Sequence, residues 1–377
     1  MKTPKIRFKG GNSRTEKFIK QIWKISTGKS NTQDQTEDWK YPFFIRSDIV
    51  VKSNKFLFNE EAVITIGDWN IWKVFHYING KYDLHQRCYK ISDFKDIFWK
   101  YFYYYFSTKF YKRAMSMTAK ATVDSVRLEM ISDMLIRFPS LPEQEKIWSL
   151  FEQLDSQITK NQQKLEKLQN MKQSFLQKLF PKAWATVPEL RFKGFEGAWE
   201  ERKLGEIFEE YSEKNHTELP VLTIMQWIWT MLRSEVNRNL QYNKNSVSNY
   251  KLVNKDDFIV HLRSFEWGLE KSNHTWIVSP AYHILHWENI NPDFYYVFFR
   301  SFNFINKKLI SHVYWIRDWK SIDIAWMKTI NIPYTSLKEQ EKIGNFIKKL
   351  DLQLTKQQEK IQKLQNIKQS LLEKMFI

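Results

Sequence analysis

The sequence predicts an α+β protein in which two mixed α/β domains alternate with two long helices, and the helices pack as an antiparallel coiled coil with pseudo-two-fold symmetry. Three observations predict this arrangement: a long repeated segment, a short repeat at the start of each half, and apolar residues at heptad spacing. We place the first domain at 1–139, the central helix at 140–180, the second domain at 181–335 and the C-terminal helix at 336–377.

The long repeat covers residues 140–180 and 336–376, which open with SLPEQEKI and SLKEQEKI. The two segments share 24 identities in 41 positions, which indicates an internal duplication. A shorter repeat opens each half, as TPKIRFKG at 3–10 and VPELRFKG at 187–194. The chain therefore has the order domain, helix, domain, helix.

Each long repeat has the pattern of a helix. Ser140 precedes Glu143 by three residues, and Ser336 precedes Glu339 by the same spacing, which is typical of a capping box. Beyond these starts, residues recur at steps of four and three, the spacing of a coiled coil. The predicted seam comprises Leu154, Ile158, Asn161, Leu165, Leu168, Phe175, Leu179, Leu350, Leu354, Gln357, Ile361, Leu364, Leu371 and Met375.

Polar residues interrupt this seam at equivalent positions. Asn161 and Gln357 lie within it, and Lys172 and Lys368 lie at its edge. A buried polar pair lowers stability but specifies register and partner. A helix of about 36 residues spans roughly 54 Å, which is longer than one turn of DNA at about 34 Å. A generic dimerisation coiled coil is the alternative, and the alternation with two domains favours pairing within one chain.

Composition narrows the classes of function. Of the 377 residues, 42% are hydrophobic and 16% aromatic, which is typical of folded protein. No apolar run approaches the roughly 18 to 20 residues of a membrane span, and MKTPKIRFKG lacks the apolar stretch of a signal peptide, so we expect a cytoplasmic protein. Cys88 is the single cysteine, which excludes an internal disulfide and a thiolate zinc cluster.

The distribution of charge indicates a polyanionic partner. The net charge is +17, and residues 1–140 account for +11 of it. An excess of basic residues on a folded domain of mixed polarity makes nucleic acid the first partner to test.

Within the domains, residues 42–66, 258–263 and 276–285 are predicted to form short strands. Residues 93–115 and 292–310 are predicted to be aromatic-rich helices at equivalent places. Helical spacing puts most of these aromatic residues on one face, so we interpret them as core residues rather than as base-stacking platforms.

Several segments of both halves carry the motifs of one protein family. The most specific are the helix starts LPEQEKI and LKEQEKI, the opening RFKGFEGAWEERKLGEI of the second half, and LRSFEWGLEKSNHTWIVSPAY with YWIRDWKSI in the second domain. By these motifs the chain resembles the specificity (S) subunit of type I restriction-modification systems along nearly its whole length. The resemblance implies two target recognition domains, each reading one half of a split double-stranded DNA site, with the helices as an antiparallel spacer.

The resemblance also implies that the chemistry belongs to other chains. A specificity subunit has no catalytic residues and binds no cofactor or metal of its own. It assembles with two methyltransferase (M) subunits and with restriction/translocase (R) subunits. S-adenosylmethionine, ATP and Mg would be bound by those partners, which flip and N6-methylate an adenine in each half-site and cut unmethylated DNA.

Motifs of the partner enzymes are missing from this sequence. It has no glycine-rich cofactor turn, no Asn-Pro-Pro-aromatic tetrapeptide and no P-loop. STGKS at 26–30 lacks the upstream glycine of a P-loop and is predicted to be a loop entering the first domain. His283 and His286 lack further ligands at tight spacing, so a strand or turn placement is favoured over a metal pair.

Polar and basic residues in loops beside the predicted strands are the candidates for DNA contact. Phosphates attract Lys and Arg, and guanine edges in the major groove favour bidentate Arg. Each candidate is equally interpretable as a surface charge or as part of an intramolecular ion pair. The candidates are Arg46, Lys52, Lys55, Lys73, Gln86 and Arg87 in the first domain, and Arg263, Ser264, Arg317 and Lys320 in the second.

A structural adaptor, in which paired helices tether two protein-binding domains without a DNA role, is the main alternative function. Salt-dependent binding to duplex DNA, or a neighbouring gene for the methyltransferase, distinguishes the two. A solitary, degenerate subunit left by recombination is a further alternative.

Tryptophan stands in several places where glycine is expected. The chain has 16 Trp and 10 Gly, whereas average usage predicts about 26 Gly. We hypothesise that most of these tryptophans are encoded by UGA codons, which mean glycine in the source organism. The alternative is that the lineage has drifted toward tryptophan. Trp199 matches a true tryptophan of the family. The suspected positions include Trp39, Trp69, Trp72, Trp148, Trp267, Trp276, Trp315 and Trp319.

Overall fold

The computed structural model divides into two compact units. Unit 1 comprises residues 1–162 and 359–377, and unit 2 comprises 163–358. Contacts thus group each domain with the helix segments that pack on it, whereas the sequence boundaries separate domain from helix. The structure describes residues 6–8, 14–36, 40–67, 74–117, 125–182, 185–225, 229–232, 244–261, 268–316 and 319–376.

The domain of unit 1 is built around a six-stranded sheet in the order β2-β7-β5-β6-β3-β4. Neighbouring strands are antiparallel except for β3 and β6, which run parallel. The elements are β1 (Thr15–Phe18), α1 (Ile19–Ile22), β2 (Lys24–Thr27), β3 (Tyr41–Phe44), β4 (Val51–Ser53), β5 (Phe58–Ile66), β6 (Phe75–Leu84), β7 (Cys88–Ser92), α2 (Trp99–Ser116), α3 (Leu128–Ser132), β8 (Leu135–Phe138) and α4 (Leu141–Lys178).

Helix α2 forms much of the core of unit 1. It buries eight residues, and seven of them are aromatic. Phe75 of β6 meets the ring of Phe106 edge-on at 5.6 Å. The aromatic run is therefore a core face, since its rings pack against the sheet rather than standing exposed. Cys88 is buried at the start of β7.

Unit 2 repeats this plan with a four-stranded sheet in the order β10-β17-β14-β15. Four further antiparallel pairs surround it: β9 with β20, β11 with β12, β13 with β16, and β18 with β19. The elements are β9 (Glu200–Lys203), α5 (Leu204–Ile207), β10 (Phe208–Tyr211), β11 (Leu222–Met225), β12 (Trp229–Leu232), β13 (Lys251–Val253), β14 (Phe258–His261), β15 (Glu270–Lys271), β16 (Trp276–Val278), β17 (Tyr282–Trp287), α6 (Pro292–Phe299), β18 (Val313–Ile316), β19 (Trp319–Ile322), α7 (Ile324–Met327), β20 (Asn331–Tyr334) and α8 (Leu337–Met375).

The prediction of one continuous helix over 292–310 was wrong, because the helix is interrupted at residues 300–301. Helix α6 ends at Phe299, because Arg300 leaves the helical conformation with φ −100° and ψ 3°. Ser301 then accepts a hydrogen bond from the amide of Phe304 at 3.2 Å and starts a separate π-helical turn, Phe304–Leu309. A local side-chain cap therefore interrupts an apolar pattern that by itself predicts a continuous helix.

The two long helices run in opposite directions within each unit. In unit 1, Phe151 of α4 stacks on Phe376 at 5.7 Å, and Lys368 of α8 donates to Asp155 at 2.5 Å. In unit 2, Phe175 of α4 meets Phe346 of α8 at 4.8 Å. Residue numbers therefore rise along one helix as they fall along its partner.

The predicted seam of the helices coincides with their protected faces. Every seam residue is buried or half-buried, including Gln357, whereas most residues between them are exposed. Asn161 is half-buried, and its side chain donates to the carbonyl of Gln157 at 2.6 Å. In the part of the chain that the structure describes, no helix is both long enough and apolar enough to cross a bilayer.

Candidate nucleic-acid interface

Arg46, Gln86 and Arg87 lie at one end of the sheet in unit 1. Strands β3 and β6 are parallel, with Phe44 opposite Leu84, so their carboxyl ends lie at the same edge. Arg46 follows β3 by two residues, and Gln86 and Arg87 lie in the turn after β6. The amide of residue 85 donates to the carbonyl of Phe44 at 3.0 Å, which joins the two connections.

Lys55 and Gln86 belong to one polar network. Lys55 forms an ion pair with Asp34 at 3.1 Å, and Asp34 accepts from the amide of Asn31 at 2.8 Å. The side-chain oxygen of Asn31 accepts in turn from the side-chain Nε2 of Gln86 at 2.5 Å. The short 3₁₀ turn Thr32–Asp34 thus ties together two residues that are 31 positions apart in the sequence.

Lys52 lies on β4, opposite Pro42 of β3, and is half-buried. Its carbonyl accepts from the amide of Thr36 at 3.0 Å, so the segment that carries Asp34 is also fixed to β4. We call the surface formed by Arg46, Lys52, Lys55, Gln86 and Arg87 the basic edge. Except for Lys52, these side chains are exposed.

Close backbone packing holds the 85–87 turn of the basic edge in place. A Cβ added to Gly28 would lie 1.9 Å from the carbonyl oxygen of Leu84, and one added to Gly67 would lie 2.5 Å from that of Arg87. Only glycine permits both approaches. Beneath the turn, Asp83 is fully buried and accepts from the hydroxyl of Ser30 at 2.7 Å. The turn is therefore a preorganised platform.

Two titratable groups in or beside the basic edge have shifted pKa values. Burial lowers the pKa of His76 below its ordinary value, against the opposing effect of the Ser47 carbonyl, which lies 3.1 Å from Nε2. The amide of Asn31, and then the ammonium of Lys55, lower the pKa of the exposed Asp34 carboxyl. Asp34 therefore remains ionised and holds Lys55 in position at neutral pH.

Most of the second-domain candidates lie outside the described residues. These are Arg263, Ser264 and Arg317, and the same is true of Lys73 in the first domain. Lys320 lies in β19, opposite Trp315 in the ladder with β18.

The two histidines of β17 bind carboxylates. His283 Nδ1 lies 2.5 Å from Glu210, which also accepts from Lys328 at 2.8 Å, and His286 Nδ1 lies 2.7 Å from Asp257. Across the described ranges, no group of three or more His, Cys, Asp or Glu is arranged to hold a metal ion. These histidines are part of the hydrogen-bonding structure of unit 2.

The glutamate of each EQEKI repeat has a different role from the predicted capping box. In unit 2, Glu339 is almost fully buried and receives two hydrogen bonds from Arg191, at 2.7 and 2.8 Å. Trp199 Nε1 donates to it at 3.1 Å, and the hydroxyl of Thr335 donates at 2.5 Å. Because this carboxylate binds the arginine of the RFKG repeat, it does not reach back to the helix cap.

The equivalent position in unit 1 is less fully paired. Glu143 is buried, and Arg7 Nε of the first RFKG repeat lies 3.9 Å from it. Neither carboxylate oxygen of Glu143 has a hydrogen-bond partner among the described residues. Arg14 immediately precedes β1, as Trp199 immediately precedes β9. The same repeat therefore forms a strong contact in one unit and a loose one in the other.

The glutamine of each repeat joins a long helix to the aromatic helix of its own unit. Gln144 Oε1 accepts from the amide of Phe98, just before α2, at 2.9 Å. Gln340 Oε1 accepts from the amide of Asn291, just before α6, at the same distance. Both glutamines are fully buried. The repeated motif thus seats each domain on its helix.

Trp148 and Gly344 occupy the same position in the two repeats. Trp148 is half-buried and packs edge-on against Phe98 at 5.3 Å, with Lys100 Nζ 4.1 Å from its ring. At Gly344 an added Cβ would lie 2.4 Å from Oδ1 of Asn291. The other suspected positions fall into two groups. Those outside the described residues are Trp39, Trp69, Trp72 and Trp267. Those in strands are Trp276 in β16, Trp315 in β18 and Trp319 in β19.

Sequence reasoning missed Asn31 and Asp34, which connect the basic edge. Their spacing of three residues is itself a capping signal, since Asp34 accepts from the amide of Asn31. That signal predicts the local turn. It does not predict the contact of Asn31 with Gln86, which requires the fold to bring 31 and 86 together.

Comparisons with known proteins identify related sequences. Residues 14–170 match a family model described as the type I restriction modification DNA specificity domain. The type I restriction enzyme EcoDI specificity subunit of Escherichia coli is 26% identical over 157 residues, which are 42% of this chain and 34% of that relative. The match thus spans about a third of the length of the curated relative.

Solved structures share the fold. The type I restriction-modification system S subunit from M. genitalium has a TM-score of 0.66 at 18% identity, covering 100% of this chain and 99% of that chain. A second structure comes from work on complex assembly and conformational transition of the type I R-M system. It has a TM-score of 0.54 at 13% identity, covering 98% of this chain and 99% of that chain. Residues 14–170 are therefore similar to the type I restriction modification DNA specificity domain, and the chain shares the fold of the solved S subunit.

Proposed function

We propose that this chain is the DNA-sequence-specificity subunit of a type I restriction-modification complex and that it reads a bipartite site. The observation that carries the proposal is the basic edge of unit 1, where cationic and amide side chains lie at the carboxyl ends of two parallel strands and on or just after the adjacent strand β4. Cations position a protein on phosphates, while amide and guanidinium groups read base edges. Unit 2 would read the second half-site through residues 181–335, and residues 1–139 would form the first recognition domain.

We further propose that α4 and α8 form one antiparallel coiled coil with pseudo-two-fold symmetry and set the distance between the half-sites. The antiparallel contacts within each unit and the protected seam support this proposal. A rigid helix pair fixes spacing better than a loop does, because it has little conformational freedom to lose on binding.

The chain would be a non-catalytic member of its complex. We propose that two methyltransferase subunits and the restriction/translocase subunits supply the adenine-N6 methylation and cleavage chemistry, together with S-adenosylmethionine, ATP and Mg. This division of roles rests on the family relationship.

The experiment measures binding of duplex DNA by the chain together with a type I methyltransferase subunit from the same organism, over a series of salt concentrations. The probe is a duplex selected by that complex from a randomised pool. We expect a steep fall in affinity with salt, and Arg46→Ala, Lys52→Ala and Arg87→Ala should each reduce the logarithmic slope by about 0.9 if the residue contacts one phosphate. Lys24→Ala is the matched control, since Lys24 pairs with Asp93 outside the basic edge.

The alternative function, a coiled-coil adaptor without a DNA role, predicts a different result. It requires that no duplex is selected from the pool and that binding does not respond to salt. Either a selected duplex or a slope that the basic-edge variants reduce would exclude the adaptor.

A further inference from the structure

The chain that leads from β3 to β5 exposes an unusual amount of apolar surface. Ile49 is 66% exposed and Val50 39% in the loop before β4, and Phe56 and Leu57 are 41% and 36% exposed after it. Single exposed apolar residues are common, but four within nine residues are typical of a binding surface.

These residues are not parts of an unfilled core. Phe43 and Phe44, which precede the loop, are buried and supply the core contacts of β3. The loop itself is held by hydrogen bonds: the amide of Ile49 donates to the hydroxyl of Ser47 at 3.1 Å, and the carbonyl of Ser47 lies 3.1 Å from His76 Nε2. Ile49 is therefore presented to solvent by a fixed backbone, which lowers the entropy lost when a partner binds.

The segment that carries Ile49 is cationic. Residues 40–57 contain Lys40, Arg46, Lys52 and Lys55 against the single acid Asp48, which gives this segment a net charge of +3. A partner for this surface must combine negative charge with an apolar slot. Duplex DNA does so, because the apolar faces of its stacked base pairs lie between two rows of phosphates.

We propose that Ile49 is a wedge residue that inserts between two adjacent base pairs of the half-site read by unit 1. This inference rests on the proposed function and deepens it. Arg46, Lys52 and Lys55 would hold the flanking phosphates while Ile49 separates the stacked bases and bends the duplex. Such a wedge selects deformable steps, such as pyrimidine–purine steps, so part of the specificity comes from DNA that bends easily.

The test measures bending and affinity together. The complex of the chain with its methyltransferase is mixed with its selected duplex of about 30 base pairs, which carries a donor and an acceptor fluorophore at its ends. Ile49→Ala should weaken binding about tenfold and lower the energy transfer that reports the bend. The slope of affinity against salt should not change, since no phosphate contact is removed.

Two variants serve as controls. Ile49→Leu keeps an apolar wedge and should keep most of the bend. Leu128→Ala removes another exposed aliphatic residue of unit 1, 46% exposed at the start of α3, and should bind and bend like the wild type.

The outcomes separate the wedge from the proposed function. If Ile49→Ala binds and bends the duplex like the wild type while basic-edge variants still reduce the salt slope, the wedge is wrong and the proposed function stands. If Ile49→Ala loses the methyltransferase but retains duplex binding through the chain, the apolar tip is a protein-binding surface and the wedge is also wrong. If the wild-type complex selects no duplex, the proposed function itself fails.

Discussion

Lys368 of α8 donates to Asp155 of α4 at 2.5 Å, and the same carboxylate accepts from the hydroxyl of Tyr104 at 2.6 Å. One acid therefore joins the two long helices of unit 1 to its aromatic helix α2. Burial, followed by the hydrogen bond to Asp155, raises the pKa of Tyr104, so its hydroxyl remains a donor throughout the physiological range. Unit 2 has the pair Lys172 and Asp351 at 2.5 Å.

Asp155→Ala should loosen unit 1. The variant leaves the buried hydroxyl of Tyr104 without its acceptor, which should destabilise the unit by about 1–2 kcal/mol, while the partly exposed ion pair with Lys368 adds little. Hydrogen exchange of the full chain should show faster exchange in α2 and in residues 141–162. Glu152→Gln, at a more exposed pair with Lys100, is the matched control and should leave protection unchanged. Equal protection in Asp155→Ala and wild type would show that Asp155 does not hold these helices together.

The two repeated glutamates should respond differently to the same substitution. Glu339→Gln breaks a buried, bidentate pair with Arg191 and should destabilise unit 2 by about 3 kcal/mol or more. Glu143→Gln should leave unit 1 as stable or make it more stable, because the amide removes a buried charge whose carboxylate oxygens have no hydrogen-bond partner among the described residues. Hydrogen exchange at the start of α4 and α8 measures both effects. A Glu143 variant that costs as much as the Glu339 variant would contradict this asymmetry.

Two histidines should titrate on opposite sides of the ordinary value of 6.5. Burial lowers the pKa of His76, whereas the hydrogen bond that His216 makes to the carboxylate of Glu213 raises the pKa of His216. The contribution of neutral His76 to stability is fully present above pH 6.5 and is lost as the pH falls through its lowered pKa. NMR titration of the two rings should give midpoints below 6.5 for His76 and above 6.5 for His216. A His76 midpoint at or above that of His216 would be incompatible with its buried environment.

The natural protein should carry glycine at position 148. The equivalent residue of the other repeat is Gly344, where an added Cβ would lie 2.4 Å from Asn291 Oδ1. Mass spectrometry of peptides covering residues 143–160 of the protein from its own organism reads this residue directly. A tryptophan-containing mass would reject the hypothesis of reassigned UGA codons.

The sequence predicts the long helices and their protected seam because both depend on local spacing. Helix starts at Leu141 and Leu337 follow Ser140 and Ser336, and the step of four and three marks the buried face. The three strands within 42–66 were likewise predictable from short apolar runs bounded by polar residues.

Contacts between distant segments explain what the sequence did not predict. Glu339 has the spacing of a capping residue, but Arg191 lies 148 positions earlier, and only the fold brings the two together. The basic edge depends in the same way on the parallel pairing of β3 with β6, which places Arg46 and Arg87 at one edge. The sequence does not predict the exposure of Ile49 either, because isoleucine usually occupies a core position.

Methylome sequencing tests the central claim most directly. A cell without other adenine methylation would express the same type I methyltransferase subunit with and without this chain. We predict N6-methyladenine in one bipartite motif, present only when the chain is expressed, and altered in its first half by changes at Arg46, Gln86 or Arg87. Methylation of the same motif without the chain, or no motif with it, would contradict the claim that this chain selects the DNA sequence.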